Sequence, residues 1–462
     1  MSDATATARL AAFTSELRFA DLPAETVAAA KLLVLDTLGC TLYAAQLPWS
    51  GLLQDYVASE GAVTVWGTTR RATASLAALA NGTAGHGFEI DDVELASGLH
   101  VGSTVLPPAI ALGETRDGVT GADVLTAVVA GAEVGIRVGT AIFPGHFLRG
   151  YHPQGTVGPI AAAASAAHML GLSPAGAADA FGLAGSMAAG LMGAQQGGMV
   201  KRFHSGRAAE GGLVSAELAQ VGFTGTPDVF DIEFGGYCST LEGEPGSIER
   251  LQEQVEGLGT TWLIRNVGYK AHASCAANHT SLDVAAALRR SQDLRAEDVD
   301  SVRVTTSRHT YVHCGWDYVP GDVTNAQMSL QYGVAAMLTT GSAFVEQFTE
   351  ERIHDPALVE LARHIEVVPD DEIDRRGPAF RHTVRVEVRT RNGPVHAGDA
   401  VHRRGSANDP LGADAIVEKF RQLASHIPWL DTEGVLAAVD DLESLDDMRA
   451  LTRLLRVPGD AA

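Results

Sequence analysis

The chain has 462 residues, with 34 lysines and arginines against 56 aspartates and glutamates, for a formal charge of −22. A surface of this sign repels phosphate backbones and anionic lipid, so neither nucleic acid nor a membrane is expected as a partner. At 46% hydrophobic and 19% charged residues there is material for a large core, disorder is excluded as a description of the whole, and the length suggests two domains.

From the start to about residue 265 the pattern is helical, with apolar residues three and four apart in 23–44 and again in 121–140. Ser173-Pro174 reads as the cap and first turn of another helix. The stretch 155–200 is rich in Ala and Gly, with Asp179 its only charge before the basic segment that follows. Pro159, Pro174 and the glycines interrupt it as a membrane span and suit closely packed helices instead. Beyond 265 the period changes. Residues 301–308 alternate as a strand does, and 382–402 reads as two strands around an Asn392-Gly393 turn, with helical patterns at 276–290 and 325–340 between them. Helical signals return at 412–424 and 433–456. The expected fold is therefore mainly α with an α+β domain. A large helical domain would comprise residues 1–265 and 402–462, and an α+β domain, residues 266–401, would be inserted between them.

The cysteines Cys40, Cys238, Cys275 and Cys314 are scattered without a C-x-x-C pair, which speaks against a disulfide framework or a zinc ribbon and for a reducing compartment. The N-terminal residues lack a basic stretch followed by an apolar one, so a cytoplasmic location is expected. Only Lys31, Lys201, Lys270 and Lys419 are lysines; arginine fills the general surface role, and a lysine beside Gly, His and Ser is a candidate for chemistry. Lys31 and Lys419 read as surface residues.

Four segments carry candidate chemistry. In 86–100, Asp91 and Asp92 near His86 and His100 supply a proton acceptor and donor, or an acidic loop capping the helix predicted at 103–115. Glu89, Asp91, Asp92 and His100 are plausible ligands of a hard cation, but their spacing matches no known site and no metal is expected. In 149–156, His152 opens the uncharged stretch and suits either an anion pocket or a paired core position. In 197–207, Lys201, Arg202 and Arg207, with His204 among them, concentrate positive charge where a polyanion would be held. In 268–279, Lys270 and His279 are candidates for proton transfer, whereas Cys275 suits a nucleophile less well than a small buried residue. Tyr332 is a fifth, weaker candidate as a proton donor.

These segments, in this order, resemble the MmgE/PrpD family, which includes 2-methylcitrate dehydratase, cis-aconitate decarboxylase and iminodisuccinate epimerase. The resemblance rests on DLPAETVAAAKLLVLDTLGC, GFEIDDVE followed by LH, GYHPQGT, VKRFHSGRAAEGG, GYKAHASC, SLQY and NDPLGADAIVEKF, and runs nearly the whole chain. It implies the same architecture, a homodimer, and chemistry on small polycarboxylates without metal or organic cofactor. It assigns functional positions to Asp91, Asp92, His100, His152, Lys201, Lys270, His279 and Tyr332. Val93, Val101 and His272-Ala273-Ser274-Cys275 depart from the residues common in the family, so the substrate of one member does not carry over.

The function expected from the sequence is a lyase that removes a proton next to a carboxylate, with 2-methylcitrate-type dehydration favoured. Lys201, Arg202, Arg207 and Lys270 would hold carboxylates, Asp91 or His100 would act as base, and His152 or Tyr332 would protonate the leaving hydroxyl. Decarboxylation of cis-aconitate and epimerisation at an acidic carbon share the carbanionic step and stand as alternatives. A non-catalytic binding or scaffold protein is the alternative of another class.

Overall fold

The computed structural model describes residues 4–243, 245–391 and 393–458. The chain is mainly helical with two small sheets. Helix Ala24–Ala44 is buried along most of its second half, and helix Gly121–Ile142 along nearly its whole length. Both are long and apolar enough to cross a membrane, but the second is enclosed by protein and forms the centre of a helical bundle. Thr120 and Asp123 start it with a reciprocal cap: the Asp123 N–H donates to Thr120 Oγ1, and the Asp123 carboxylate accepts the Thr120 N–H. Ser173 caps helix Pro174–Met187 through Gly176 N–H, as the spacing predicts.

The uncharged stretch forms helix Gly158–Met169, packed against Gly121–Ile142 and Val200–Gln220, and helix Pro174–Met187, packed against Val200–Gln220 and Ala6–Glu16. Small side chains set these distances. At Gly206, where Val200–Gln220 crosses helix Ala74–Gly85, a Cβ would lie 2.1 Å from the Leu79 carbonyl oxygen and 2.0 Å from Thr83 Oγ1. Only glycine permits that approach, and it brings the first turn of one helix to the end of the other.

The larger sheet has four strands, ordered in space Ile365–Pro369, Val299–Thr306, Val384–Thr390 and Val395–Ala400. Val302 and Val304 face Val388 and Val386 across an antiparallel pair, all four buried. The expected strands are thus present, while Asn392 of the expected turn lies outside the described residues. Strand Ile365–Pro369, which joins parallel to Val299–Thr306, was not anticipated, because Ile365-Glu-Val-Val-Pro is too short to show a period. Helix His279–Ser291 packs on the last two strands. The pattern at 325–340 is broken at Ser329, whose hydroxyl accepts Tyr332 N–H and begins helix Leu330–Thr340 anew.

Helix Ala413–Ala424 packs on Ala24–Ala44, while the helical signal at 433–456 becomes Thr432–Asp440, Leu442–Ser444 and Arg449–Leu454. The core divides into two hydrophobic clusters. One joins residues up to Tyr269 with residues from Ile416 onward; the other is built mainly from Ala273 to Val388. Lys31 is partly covered and lies 2.9 Å from Glu443. Lys419 is corrected outright. It is buried and donates to Asp36 Oδ1 at 2.6 Å and to the Ile90 carbonyl, because its helix covers the polar side of Ala24–Ala44 where a carboxylate needs a counter-charge.

Candidate active site

Titratable side chains from several separate segments meet around a small cavity of about 100 Å³ where the two clusters adjoin. Larger clefts exist, including one of about 910 Å³ on the flank of the sheet beside Arg303, Arg363 and Tyr318. Among the described residues that cleft holds no comparable buried cluster, and buried, mutually perturbed groups are the better marker of chemistry.

Helix Ala74–Gly85 ends at His86 and releases the acidic loop. Glu89 in that loop has φ +55°, a left-handed conformation that a glutamate adopts at a cost of about 1–3 kcal/mol. The turn directs its carboxylate at two cations: Lys201 donates to Oε1, and Lys270 Nζ lies 3.2 Å from Oε2. Lys270 also reaches Asp91 Oδ1 at 3.3 Å. The loop and the Lys270 segment are tied by reciprocal backbone bonds, Val93 N–H to Gly268 O at 2.8 Å and Gly268 N–H to Val93 O at 3.1 Å.

Asp91 Oδ2 lies 2.7 Å from His86 Nδ1 and 2.9 Å from His100 Nδ1. The first is an aligned hydrogen bond; the second is a close contact without that alignment. His86 packs edge-on to His100, ring centres 4.4 Å apart, and its Nε2 is 3.4 Å from Lys201 Nζ. His152, at the entry to the short helix Pro153–Thr156, meets His204 Nδ1 to Nδ1 at 2.9 Å. One of those two nitrogens must carry the proton, so the rings have complementary tautomers.

Burial raises the Glu89 and Asp91 carboxyls. The lysines beside Glu89, and the imidazoles and Lys270 beside Asp91, more than reverse this and hold both well below the usual carboxylate range. Lys270 is pushed up, because its two carboxylates outweigh burial. Burial lowers His86 to about 4 against the pull of Asp91, and carries His152 well below its ordinary value with help from Lys201. At neutral pH Glu89 and Asp91 are therefore carboxylates and Lys270 an ammonium group, while the imidazoles of His86 and His152 are neutral.

The expected residues divide into those the fold gathers and those it does not. Asp91, His100, His152, Lys201 and Lys270 meet here, with His204 behind His152. Asp92 turns away and caps helix Gly102–Glu114, accepting Val101 N–H at 2.6 Å and Gly102 N–H at 3.1 Å. Arg202 stacks on Trp49 at 4.0 Å and donates to the Gly87 carbonyl and Thr324 hydroxyl, both at 2.7 Å. Arg207, half-exposed, pairs with Glu210 at 2.9 Å, since helical periodicity puts it on another face from Lys201. His279 bonds the Ser274 carbonyl at 3.1 Å. Tyr332 lies in the second cluster, its hydroxyl donating to Gln347 O at 2.6 Å.

Several residues in or behind the cavity have a part that the sequence does not announce. His86 enters the sequence reading only as an imidazole near Asp91 and Asp92, and Glu89 only as a possible cation ligand, whereas the fold pairs Glu89 with Lys201 and Lys270. Gln154, in the segment with His152, bonds His100 and Ser205. Arg381 and His382 line the cavity, with Arg381 donating to Leu95 O at 2.6 Å; the expected strand stretch begins at His382 and concerns only its backbone. A metal ion could be offered ligands by His86, Asp91 and His100. There, however, Lys270 Nζ stands 3.3 Å from Asp91 and opposes a second cation.

The helical bundle, the small mixed sheet and the buried Lys-Glu-Asp-His cluster where their cores adjoin have the form of an enzyme site. The chain belongs to the MmgE/PrpD family: the MmgE/PrpD N-terminal domain matches residues 8–249, and the C-terminal domain matches residues 272–441. It is 32% identical to the cis-aconitate decarboxylase-like protein oryM of Aspergillus oryzae, over 97% of this chain and 96% of that one. It is 30% identical to cis-aconitate decarboxylase of Aspergillus terreus, covering 98% and 95% of the two chains. Its identity to cis-aconitate decarboxylase of Homo sapiens is 28%, covering 96% and 92%.

Proposed function

We propose that this lyase removes carbon dioxide from a small unsaturated tricarboxylic acid of the cis-aconitate class, using side chains alone. The observation that carries the reading is the convergence of Lys201 and Lys270 on the Glu89 and Asp91 carboxylates, with His100 and His152 lining the same cavity. The near full-length likeness to cis-aconitate decarboxylases supports this outcome over the dehydration favoured by sequence. Of the two acids expected beside a leaving hydroxyl, Tyr332 is committed to Gln347, while His152 lines the cavity.

In the proposed reaction a substrate carboxylate takes up the charge that Lys201 and Lys270 now direct to Glu89. The bond to a second carboxylate breaks and releases CO2. Its electron pair moves across the double bond to the carbon next to the remaining carboxylate, and the ammonium groups stabilise the resulting enediolate. His100, held beside Asp91 by Gln154, delivers the proton that completes the product, and His152 with His204 restores it.

Proton NMR in D2O with cis-aconitate, 2-methylcitrate, citrate and iminodisuccinate, with and without EDTA, tests the reading. The expected result is CO2 release from cis-aconitate, one solvent deuterium in the product and unchanged turnover in EDTA. Alkene formation from a hydroxy acid without CO2 would restore the dehydratase reading, deuterium exchange alone would indicate epimerisation, and silence would favour the binding protein.

A further inference from the structure

We propose that Cys275, His313 and Cys314 form a binding site for a borderline-soft transition-metal ion such as Zn²⁺, set in the wall of the active cavity. The sequence hides it, since the cysteines stand far apart and match no ligand spacing. The fold brings one ligand atom of each residue within 4.8 Å of the others. A tetrahedral zinc with ordinary bonds to sulfur and nitrogen separates its ligand atoms by roughly 3.5–3.8 Å, so closing on the ion requires shifts of about 1 Å.

Both sides of the site are anchored. Cys275 N–H donates to Gln327 O at 3.0 Å, and its carbonyl accepts Asn278 N–H at 2.9 Å. His313 and Cys314 end helix Arg308–Cys314, which Ser307 caps through Thr310 N–H at 3.1 Å.

The buried Nδ1 of His313 has no hydrogen-bond partner. An unmatched buried polar atom is costly, and a bound ion would satisfy this one. Two thiols and an imidazole are a soft donor set, and two thiolates neutralise a divalent ion. Binding M²⁺ forms two M–S bonds and one M–N bond and releases the two thiol protons to solvent. Cys275 and His313 also line the cavity, so the ion's remaining position opens on it and takes water. The site shares no ligand with His86, Asp91 and His100, and it does not depend on which acid the enzyme uses.

The test is a titration of the reduced, chelator-stripped full-length protein with Co²⁺ alone. One equivalent should bind with intense sulfur-to-cobalt charge-transfer absorption, and Zn²⁺ should abolish the band. Cys314→Ser should weaken binding at least about tenfold and roughly halve the band, and His313→Asn, at a half-buried position, should weaken binding similarly while keeping both sulfur ligands. Cys238→Ser, in the other cluster, should behave as the parent. Binding without sulfur bands, no binding at micromolar Co²⁺, or parental affinity in a folded Cys314→Ser or His313→Asn protein would each overturn the proposal.

Discussion

Gln154 holds His100 at both ends of its backbone unit: its Oε1 accepts the His100 N–H and its Nε2 donates to the His100 carbonyl, each at 3.0 Å. The same Nε2 also reaches the hydroxyls of Ser103 and Ser205 at 3.0 Å. The imidazole beside Asp91 is therefore fixed by a residue that does not line the cavity itself.

Replacing Gln154 with Leu should free that peptide and displace the ring. A misplacement of about 1 Å costs on the order of 10²-fold in rate, so kcat should fall by roughly that factor. KM should change much less. Steady-state kinetics on the substrate identified by NMR, beside a thermal melt, checks this; a parental kcat would mean that the clamp is dispensable.

Side chains gathered at the cavity and side chains turned from it should respond oppositely to substitution. Lys201→Ala should abolish measurable turnover. Arg207→Ala removes only an exposed pair with Glu210 and should leave turnover unchanged and stability within about 0.5 kcal/mol. Tyr332→Phe should likewise keep turnover while losing about 1 kcal/mol with its bond to Gln347. Loss of activity in a folded Tyr332→Phe protein would return the phenol to the mechanism.

The buried pair of Lys419 and Asp36 should behave as a unit. Lys419→Met leaves Asp36 buried without its cation and should cost about 3–5 kcal/mol in urea unfolding. Adding Asp36→Leu removes the stranded charge and should recover most of that loss. Additive destabilisation in the double variant would show that the two residues contribute independently.

Stability should fall as the solution is acidified from neutrality. Burial depresses His86 and His146 to about 4 and His309 to about 3, so the folded protein keeps these rings neutral while the unfolded chain takes up protons below about pH 6.5. Their contribution is complete above that value and is lost as pH falls toward 4. His146, bonded to Ile142 O at 3.0 Å and away from the cavity, isolates the effect. Its replacement by Leu should remove about 2 kcal/mol of the loss between pH 7 and 5. Urea midpoints at the two pH values decide; a midpoint that rises on acidification would refute the sign.

Much of the fold was legible because periodicity reports burial directly. Helices Ala24–Ala44 and Gly121–Ile142 and strands Val299–Thr306 and Val384–Thr390 lie close to where their patterns put them. Strand Ile365–Pro369 is too short to carry a period. Lys201, Lys270, His100 and His152 were legible as unusual residues in glycine-rich surroundings. Helical phase decided the others. Arg202 and Arg207 follow Lys201 in sequence yet point elsewhere, and Asp92, next to Asp91, caps a helix. Glu89 was harder to assign, because its direction depends on a left-handed backbone turn that composition does not announce.

That turn gives the cavity an internal occupant. With Lys201 and Lys270 already engaged by one carboxylate, a ligand anion enters by exchange, displacing Glu89 from cations that water has already left. Binding should then depend less on ionic strength than is usual for a polyanion. It should also report on shape, because an anion that cannot span both ammonium groups gives up more than it gains by dislodging the resident carboxylate.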